Sequence, residues 1–256
     1  MNLRDIDLKK LNSLTKYPSI PTYHKIGEKG VLEDEVVSFG SDKIILTEKV
    51  DGTNTRVICW NGEIVIGSRE ELLYRIGDLI YSPCLDIVKT VLDNLDIDSL
   101  KKIKDCLFTF YFETYGGKIG KASKNYTGLG QTDIMLLDVS FVNKHDLINK
   151  FLPMPLSEIS EWRENGGQMF FEEDLLRPIA RYYGINLVPR LGEIKHLPLS
   201  HEDVYSLLNG LLPETLCAID EVERGQAEGI VFRTEDRGII AKARFEDYRR
   251  TLMKRR

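Results

Sequence analysis

Residues 44–69 read IILTEKVDGTNTRVICWNGEIVIGSR. One apolar run ends in Glu48-Lys49, a single residue separates the lysine from Asp51-Gly52, and two further apolar runs carry the chain round to Arg69. Lys49 reads as a nucleophile. A deprotonated lysine at the mouth of a sheet attacks phosphorus, and the N–P bond it forms is labile enough to pass a nucleotide onward. The ordinary amine pKa of about 10.4 must then be lowered. Burial or a neighbouring cation, a bound Mg²⁺ or Arg69, would lower it by disfavouring the ammonium. Gly52 permits positive φ or close backbone approach in the turn, and Asp51 can hold a metal's water shell. Alone, these residues equally describe an exposed Asp-Gly turn beside a solvated lysine.

The 256 residues are 42% hydrophobic and 29% charged, enough for one substantial core, and one large domain is expected. Net charge is −5, so no global basic field advertises nucleic acid, and any polyanion must meet a local patch. Cys59, Cys84, Cys106 and Cys217 lack close metal-ligand spacing and read as reduced thiols. The chain shows neither a membrane-length apolar run nor a signal-peptide pattern at Met1-Asn2-Leu3-Arg4-Asp5, which predicts a cytoplasmic protein.

Outward from the opening stretch, residues 55–60 and 63–67 flank Asn61-Gly62, the strongest short hairpin signal. The preceding chain predicts a helix over 3–15, a loop held open by Pro18 and Pro21, and strands near 35–39 and 43–48. Ser68 reads as the cap of a helix starting at 69–71, with a second helix over 84–104. Cys106 to Thr114 (CLFTFYFET) is apolar on both faces, as a buried strand is, and carries Glu113 near its end. In the next loop Lys118, Lys121 and Lys124 interleave with Tyr126, a composition that suits phosphate and base contacts and equally a solvated loop. A strand is expected over 133–142, broken helices over 145–183 with Gly184 as a stop, and a strand at 186–189. Ser200 caps a helix ended by Gly210. Residues 227–233 and 238–244 read as two strands, placing Lys242 and Arg244 on one face, before a final helix over 245–256 with Arg255 and Arg256 at its basic end.

Lys49 and Asp51, Arg69, Glu113, Asp138, Glu228, then Lys242 and Arg244 thus follow in order, nearly all at predicted strand ends. That order resembles the covalent nucleotidyltransferases, the superfamily of ATP-dependent DNA ligases, RNA ligases and mRNA capping enzymes. EKVDGTN is similar to its motif I, GSR to Ia, FETYGG to III, MLLDVS to IIIa, AEGIVFR to IV and AKAR to V. Gly-Thr-Asn after Asp51, the spacing from Lys49 to Arg69, and VPRLGEI at 188–194 most resemble the phage-type RNA ligase 2 family.

The resemblance implies an α+β, antiparallel-sheet adenylylation domain spanning 1–256 with a central ATP cleft faced by Lys49, Glu113, Glu228 and Lys242. Lys49 would take AMP from ATP, Arg69 and Glu113 would hold the ribose, and Lys242 and Arg244 the phosphates. Glu48 would read the adenine edge, while Asp51, Glu113 and Glu228 would orient Mg²⁺ or Mn²⁺. Asn54 matches a nucleotide-site residue implicated in sealing. Leu137 stands where an aromatic usually stacks on adenine, and Arg233 and Arg244 stand where lysine is usual. Arginine keeps phosphate binding there but gives up proton donation. No counterpart of the family's small C-terminal domain follows motif V, which leaves room for a partner protein in its place. The implied activity is ATP-dependent sealing of 5′-phosphate and 3′-hydroxyl ends in nicked or broken RNA. A GTP-dependent capping guanylyltransferase and a non-catalytic nucleic-acid-binding protein on the same fold are the alternatives, and Glu48 with Gly-Thr-Asn argues against the former.

Overall fold

The computed structural model describes residues 5–40, 43–75, 78–79, 86–221 and 224–254. The readings that fall on Met1 to Arg4, Cys84, Arg255 and Arg256 lie outside them. In chain order come α1 (Leu8–Leu14), β1 (His24–Ile26), β2 (Leu32–Val36), β3 (Ile44–Lys49), β4 (Thr53–Trp60), β5 (Glu63–Ser68), β6 (Leu72–Arg75) and β7 (Asp78–Leu79). Then follow α2 (Ile87–Asn94), α3 (Ile97–Leu100), β8 (Cys106–Gly116), β9 (Thr132–Asn143), α4 (Lys144–Asp146), α5 (Leu156–Glu164), β10 (Met169–Phe170) and α6 (Glu173–Tyr183). Last are β11 (Arg190–Ile194), α7 (His201–Leu211), β12 (Gly229–Thr234), β13 (Ile240–Arg244) and α8 (Phe245–Lys254). The strand pairings are antiparallel, and the fold is α+β as expected.

The chain divides into two compact units. The first comprises Met1–Pro18, Thr53–Thr114 and Thr132–Leu187, and is built on a seven-stranded sheet of order β10-β9-β8-β4-β5-β6-β7. Alternation along β4 feeds two cores. Val57 and Cys59 pack with Ile87 and Val91 of α2 and Leu176 and Ala180 of α6. Ile58 and Trp60 pack with Leu11 and Leu14 of α1 and Ile159 of α5. A sheet covered on both faces explains why CLFTFYFET lacks the apolar–polar alternation of a half-exposed strand. Trp60 is fully buried, and truncating such a side chain costs about 3–5 kcal/mol. The β4–β5 turn is the expected one, with Asn61 at φ 46° and Gly62 at φ 86°.

The second unit comprises Ser19–Gly52, Tyr115–Gln131 and Val188–Arg256. Its four-stranded sheet has the order β11-β3-β12-β13. One face, with Ile44, Leu46, Ile230, Phe232, Ala241 and Ala243, packs on Val204 and Leu208 of α7 and Phe245 and Tyr248 of α8. Ser200 caps α7, its hydroxyl accepting the Asp203 N–H at 3.1 Å, but Gly210 lies inside that helix.

Three local expectations are corrected. Ser68 Oγ accepts the Glu71 N–H at 3.1 Å, as a helix cap would, but the bond closes a turn into β6 and no helix forms there. The helix expected over 84–104 is two short ones, because Asp96 turns its carboxylate onto the Asp98 and Ser99 N–H groups and starts a new helix. The strand expected at 186–189 lies instead at Arg190–Ile194, pairing with β3. Asp138 sits inside β9, within the strand expected over 133–142, 1% exposed, and accepts the Tyr17 hydroxyl.

Candidate active site

The period-two geometry of strands sorts the predicted residues of the second unit onto two faces. Lys49 on β3 and Arg244 on β13 both stand directly across from Gly229 of β12, which lies between those strands. Directly opposed residues share a face, and Lys242 is two positions from Arg244, so all three cations project from the face opposite the apolar core. Gly229 is required by close approach. A Cβ there would fall on the Ala243 carbonyl oxygen and 2.8 Å from Arg244 Cα.

Lys49 Nζ donates to Glu228 Oε2 at 2.5 Å. Burial raises the Glu228 carboxyl above its ordinary value, Lys49 pulls it back, and the negative charge of Asp51 adds to the rise. Arg244 is held in place by Asp247, with Nε donating at 2.7 Å and Nη2 at 2.9 Å to a carboxylate that is 1% exposed. That second carboxylate escaped the sequence reading, although its i,i+3 spacing from Arg244 at a helix start was a usable signal.

Glu48, one residue before Lys49, necessarily points to the other face. Its carboxylate is 1% exposed and accepts the Thr215 hydroxyl at 2.5 Å and the Leu216 N–H at 2.9 Å. It fixes the 215–217 segment through these two bonds. Burial raises this carboxyl as well.

Tyr126 differs from its reading as an exposed base-contacting aromatic. It is fully buried, packed edge-on to Tyr115 with ring centroids 5.0 Å apart, and its hydroxyl oxygen accepts the Asp51 N–H at 2.7 Å. Burial lifts its phenol well above the usual range. Lys118, Lys121 and Lys124 of the same loop are exposed.

The first unit carries the remaining predicted residues. Asn54 on β4 stands directly across from Glu113 on β8, so the two share a face of the seven-stranded sheet. Asn54 Nδ2 donates to the Phe112 carbonyl at 3.4 Å, while its Oδ1 is buried without a hydrogen-bond partner among the described residues. Such an orphaned acceptor is an unmet demand for a donor. Arg69 lies on the turn after β5, 60% exposed, with Nε 3.7 Å from Glu70. Leu137 is half-buried on β9.

Among the described residues no three carboxylate, imidazole or thiol side chains gather into a ready-made metal site. Asp51 and Glu228 nevertheless form a pair of carboxylates whose mutual repulsion is felt in the Glu228 carboxyl. Such a pair fits a hard divalent cation that keeps most of its water ligands. Among the described residues Cys59, Cys106 and Cys217 form no disulfide. Among the described residues no helix is long and apolar enough to cross a membrane.

The antiparallel sheets and their helices define the RNA ligase form of the nucleotidyltransferase fold. A mutant of the Naegleria gruberi RNA ligase solved with ATP and Mn superposes with a TM-score of 0.54 at 14% identity, over 82% of this chain and 52% of that one. A second mutant with AMP and Mn gives 0.55 at 14% identity over 81% and 51%, and a third with ATP and Mn gives 0.56 at 14% over 92% and 62%. The chain thus spans about half to three-fifths of the length of these solved ligases. In sequence, the family described as RNA ligase matches residues 42–254. The chain belongs to the RNA ligase family. No curated protein matches it.

Proposed function

We propose that this chain is an ATP-dependent RNA ligase that seals 5′-phosphate and 3′-hydroxyl ends through a lysyl-AMP intermediate on Lys49. The observation that carries the reading is the cross-strand register of Lys49, Gly229 and Arg244, with Lys242 on the same face and the Glu228 carboxylate on Lys49 Nζ. A nucleophile, two phosphate-neutralising cations and a carboxylate at the atom that must lose a proton form one constellation. The ATP or AMP with Mn in the solved Naegleria ligases supports the same nucleotide and metal here.

Lys49 Nζ sheds its proton toward Glu228 and attacks the α-phosphorus of ATP, so that an N–P bond forms as the P–O bond to pyrophosphate breaks. Lys242 and Arg244 offset the charge that builds on the phosphate oxygens, Arg244 already braced by Asp247. AMP then passes to an RNA 5′-phosphate, and a 3′-hydroxyl displaces it. Arg69 and Glu113 hold the ribose, Leu137 packs on the purine, and Asn54 serves the sealing steps with the acceptor that the fold leaves unpaired. Asp51 and Glu228 would hold a divalent cation, which would supply further neutralisation of phosphate charge when bound. The pattern around Lys49 and VPRLGEI supports placement in the phage-type RNA ligase 2 subfamily, with 1–256 acting as one adenylylation domain.

Incubation with α-labelled ATP or α-labelled GTP, each with Mg²⁺, tests the reading. Covalent label from ATP alone is expected, removed by Lys49→Ala. Label from GTP alone would favour the capping reaction, and no label from either nucleotide on folded protein would favour a non-catalytic RNA-binding role.

A further inference from the structure

Two loops of the second unit interlock beside Glu228. Gly225 N donates to the Asn125 carbonyl at 2.9 Å, and Asn125 Nδ2 donates to the Gln226 carbonyl at 3.0 Å. The contact admits no side chain, since a Cβ on Gly225 would stand 2.6 Å from Asn125 Cα. Arg249 of α8 joins them, its Nη2 donating to Gln226 Oε1 at 2.9 Å. The lock therefore brings together three cations from distant parts of the sequence: Lys124 beside Asn125, Arg224 beside Gly225, and Arg249.

All three are exposed, and none makes an ion pair among the described residues. The nearby Asp220 carboxylate is turned into the loop, accepting the Thr127 hydroxyl at 2.6 Å and the Leu129 N–H at 3.1 Å. In a chain of net charge −5, three exposed cations gathered on a locked scaffold, with no ion pair among the described residues, mark a local polyanion site. Gln226 lies two residues before Glu228, whose carboxylate holds Lys49, so the trio sits along the backbone leading directly to the nucleophile.

We propose that Lys124, Arg224 and Arg249 form a phosphate track that seats the backbone of the RNA strand bearing the 5′ end to be sealed. The assignment rests on the RNA ligase reading and names where its polynucleotide docks on this chain. Spaced cations on a rigid frame give sequence-independent, salt-sensitive affinity and fix strand direction without reading bases.

The test is the Lys124→Ala/Arg224→Ala/Arg249→Ala variant, assayed for binding of a 5′-phosphorylated RNA across a salt series and for self-labelling by α-labelled ATP. RNA affinity at low salt should fall at least tenfold. The slope of log affinity against log salt should flatten by about two to three, as expected when three phosphate contacts are lost. Lys102→Ala/Lys104→Ala, on exposed lysines of the first unit, should change neither quantity. Lys124→Glu alone, a second probe with less risk to folding, should weaken binding in the same direction. An unchanged slope in a triple variant that still labels with ATP overturns the track while leaving the ligase reading intact. A flattened slope in a chain whose wild type takes no label upholds the track and overturns the ligase reading instead.

Discussion

The hydroxyl oxygen of Tyr126 accepts the backbone N–H of Asp51 at 2.7 Å, across 75 positions of sequence. The turn that follows Lys49 is therefore pinned by a fully buried ring from a separate loop. That loop is itself tied down, since the Tyr126 carbonyl accepts the Ile219 N–H at 2.8 Å. The geometry of Lys49 and Asp51 is thus set by tertiary contacts as well as by the strand that delivers them.

Tyr126→Phe keeps the ring and removes the acceptor. Leaving the Asp51 N–H unsatisfied should cost about 1–3 kcal/mol in denaturant unfolding. The rate of lysyl-AMP formation should fall while the KM for ATP changes little, because the hydroxyl touches the turn and not the nucleotide. A variant that loads AMP at the wild-type rate would show that the turn holds itself.

How far the sequence could be read depended on how local each determinant was. The Asn61-Gly62 hairpin, the delivery of Lys49 by β3 and the shared face of Lys242 and Arg244 follow from turn chemistry and strand period, and all three appear in the structure. Asp96 was missed as a breaker because its side chain competes for backbone N–H groups that an uninterrupted helix would have used. The alternation that sorts Lys242 and Arg244 onto one face puts Glu48 on the other. Its partners, Thr215 and Leu216, are 167 and 168 positions away and carry no local signal. Tyr126 was read from its lysine neighbours, and only tertiary packing reveals that the lysines face solvent while the ring does not.

Two glycine substitutions should move stability in opposite directions. Gly229→Ala places a methyl group against the Ala243 backbone in a central strand pairing, and should cost about 3 kcal/mol or more in denaturant unfolding. Gly210→Ala puts the same methyl into open space inside α7 and should stabilise by about 0.5–1 kcal/mol. Equal effects at the two sites would contradict the close packing assigned to Gly229.

Glu48 makes a pH-dependent prediction. Because burial raises its carboxyl, the folded chain binds this proton more tightly than the unfolded chain does. Its contribution is full below the ordinary carboxylate value and is lost as pH rises through the raised one. The Glu48→Gln amide can still accept from Leu216 N–H and donate to the Thr215 oxygen, but it does not titrate. The difference in melting temperature, variant minus wild type, should therefore grow as pH climbs from acid to neutral. Glu48→Ala strands both partners and should cost about 1–3 kcal/mol at acid pH and less as pH rises through the raised carboxyl. A difference that stays flat with pH would place the Glu48 carboxyl at its ordinary value.

Lys49 and Glu228 separate the chemistry into steps. In the proposed chemistry Lys49 serves only to load AMP, so Lys49→Ala should abolish labelling by ATP and ATP-dependent sealing, yet leave joining of a pre-adenylylated RNA 5′ end. Glu228→Gln should slow both, since Glu228 serves the proton on Lys49 and the proposed metal. Asn54→Ala should label normally and fail in the later steps. The pair also couples in stability: both side chains are mostly buried, at 22% and 19% exposure, and Lys49→Ala leaves the Glu228 carboxylate without its cation. Lys49→Ala should therefore cost about 1–2 kcal/mol, and adding Glu228→Gln should restore part of that loss, a non-additivity measurable by a double-mutant cycle. If Lys49→Ala still takes covalent label from ATP, the nucleophile lies elsewhere and the register of Lys49, Gly229 and Arg244 is structural only.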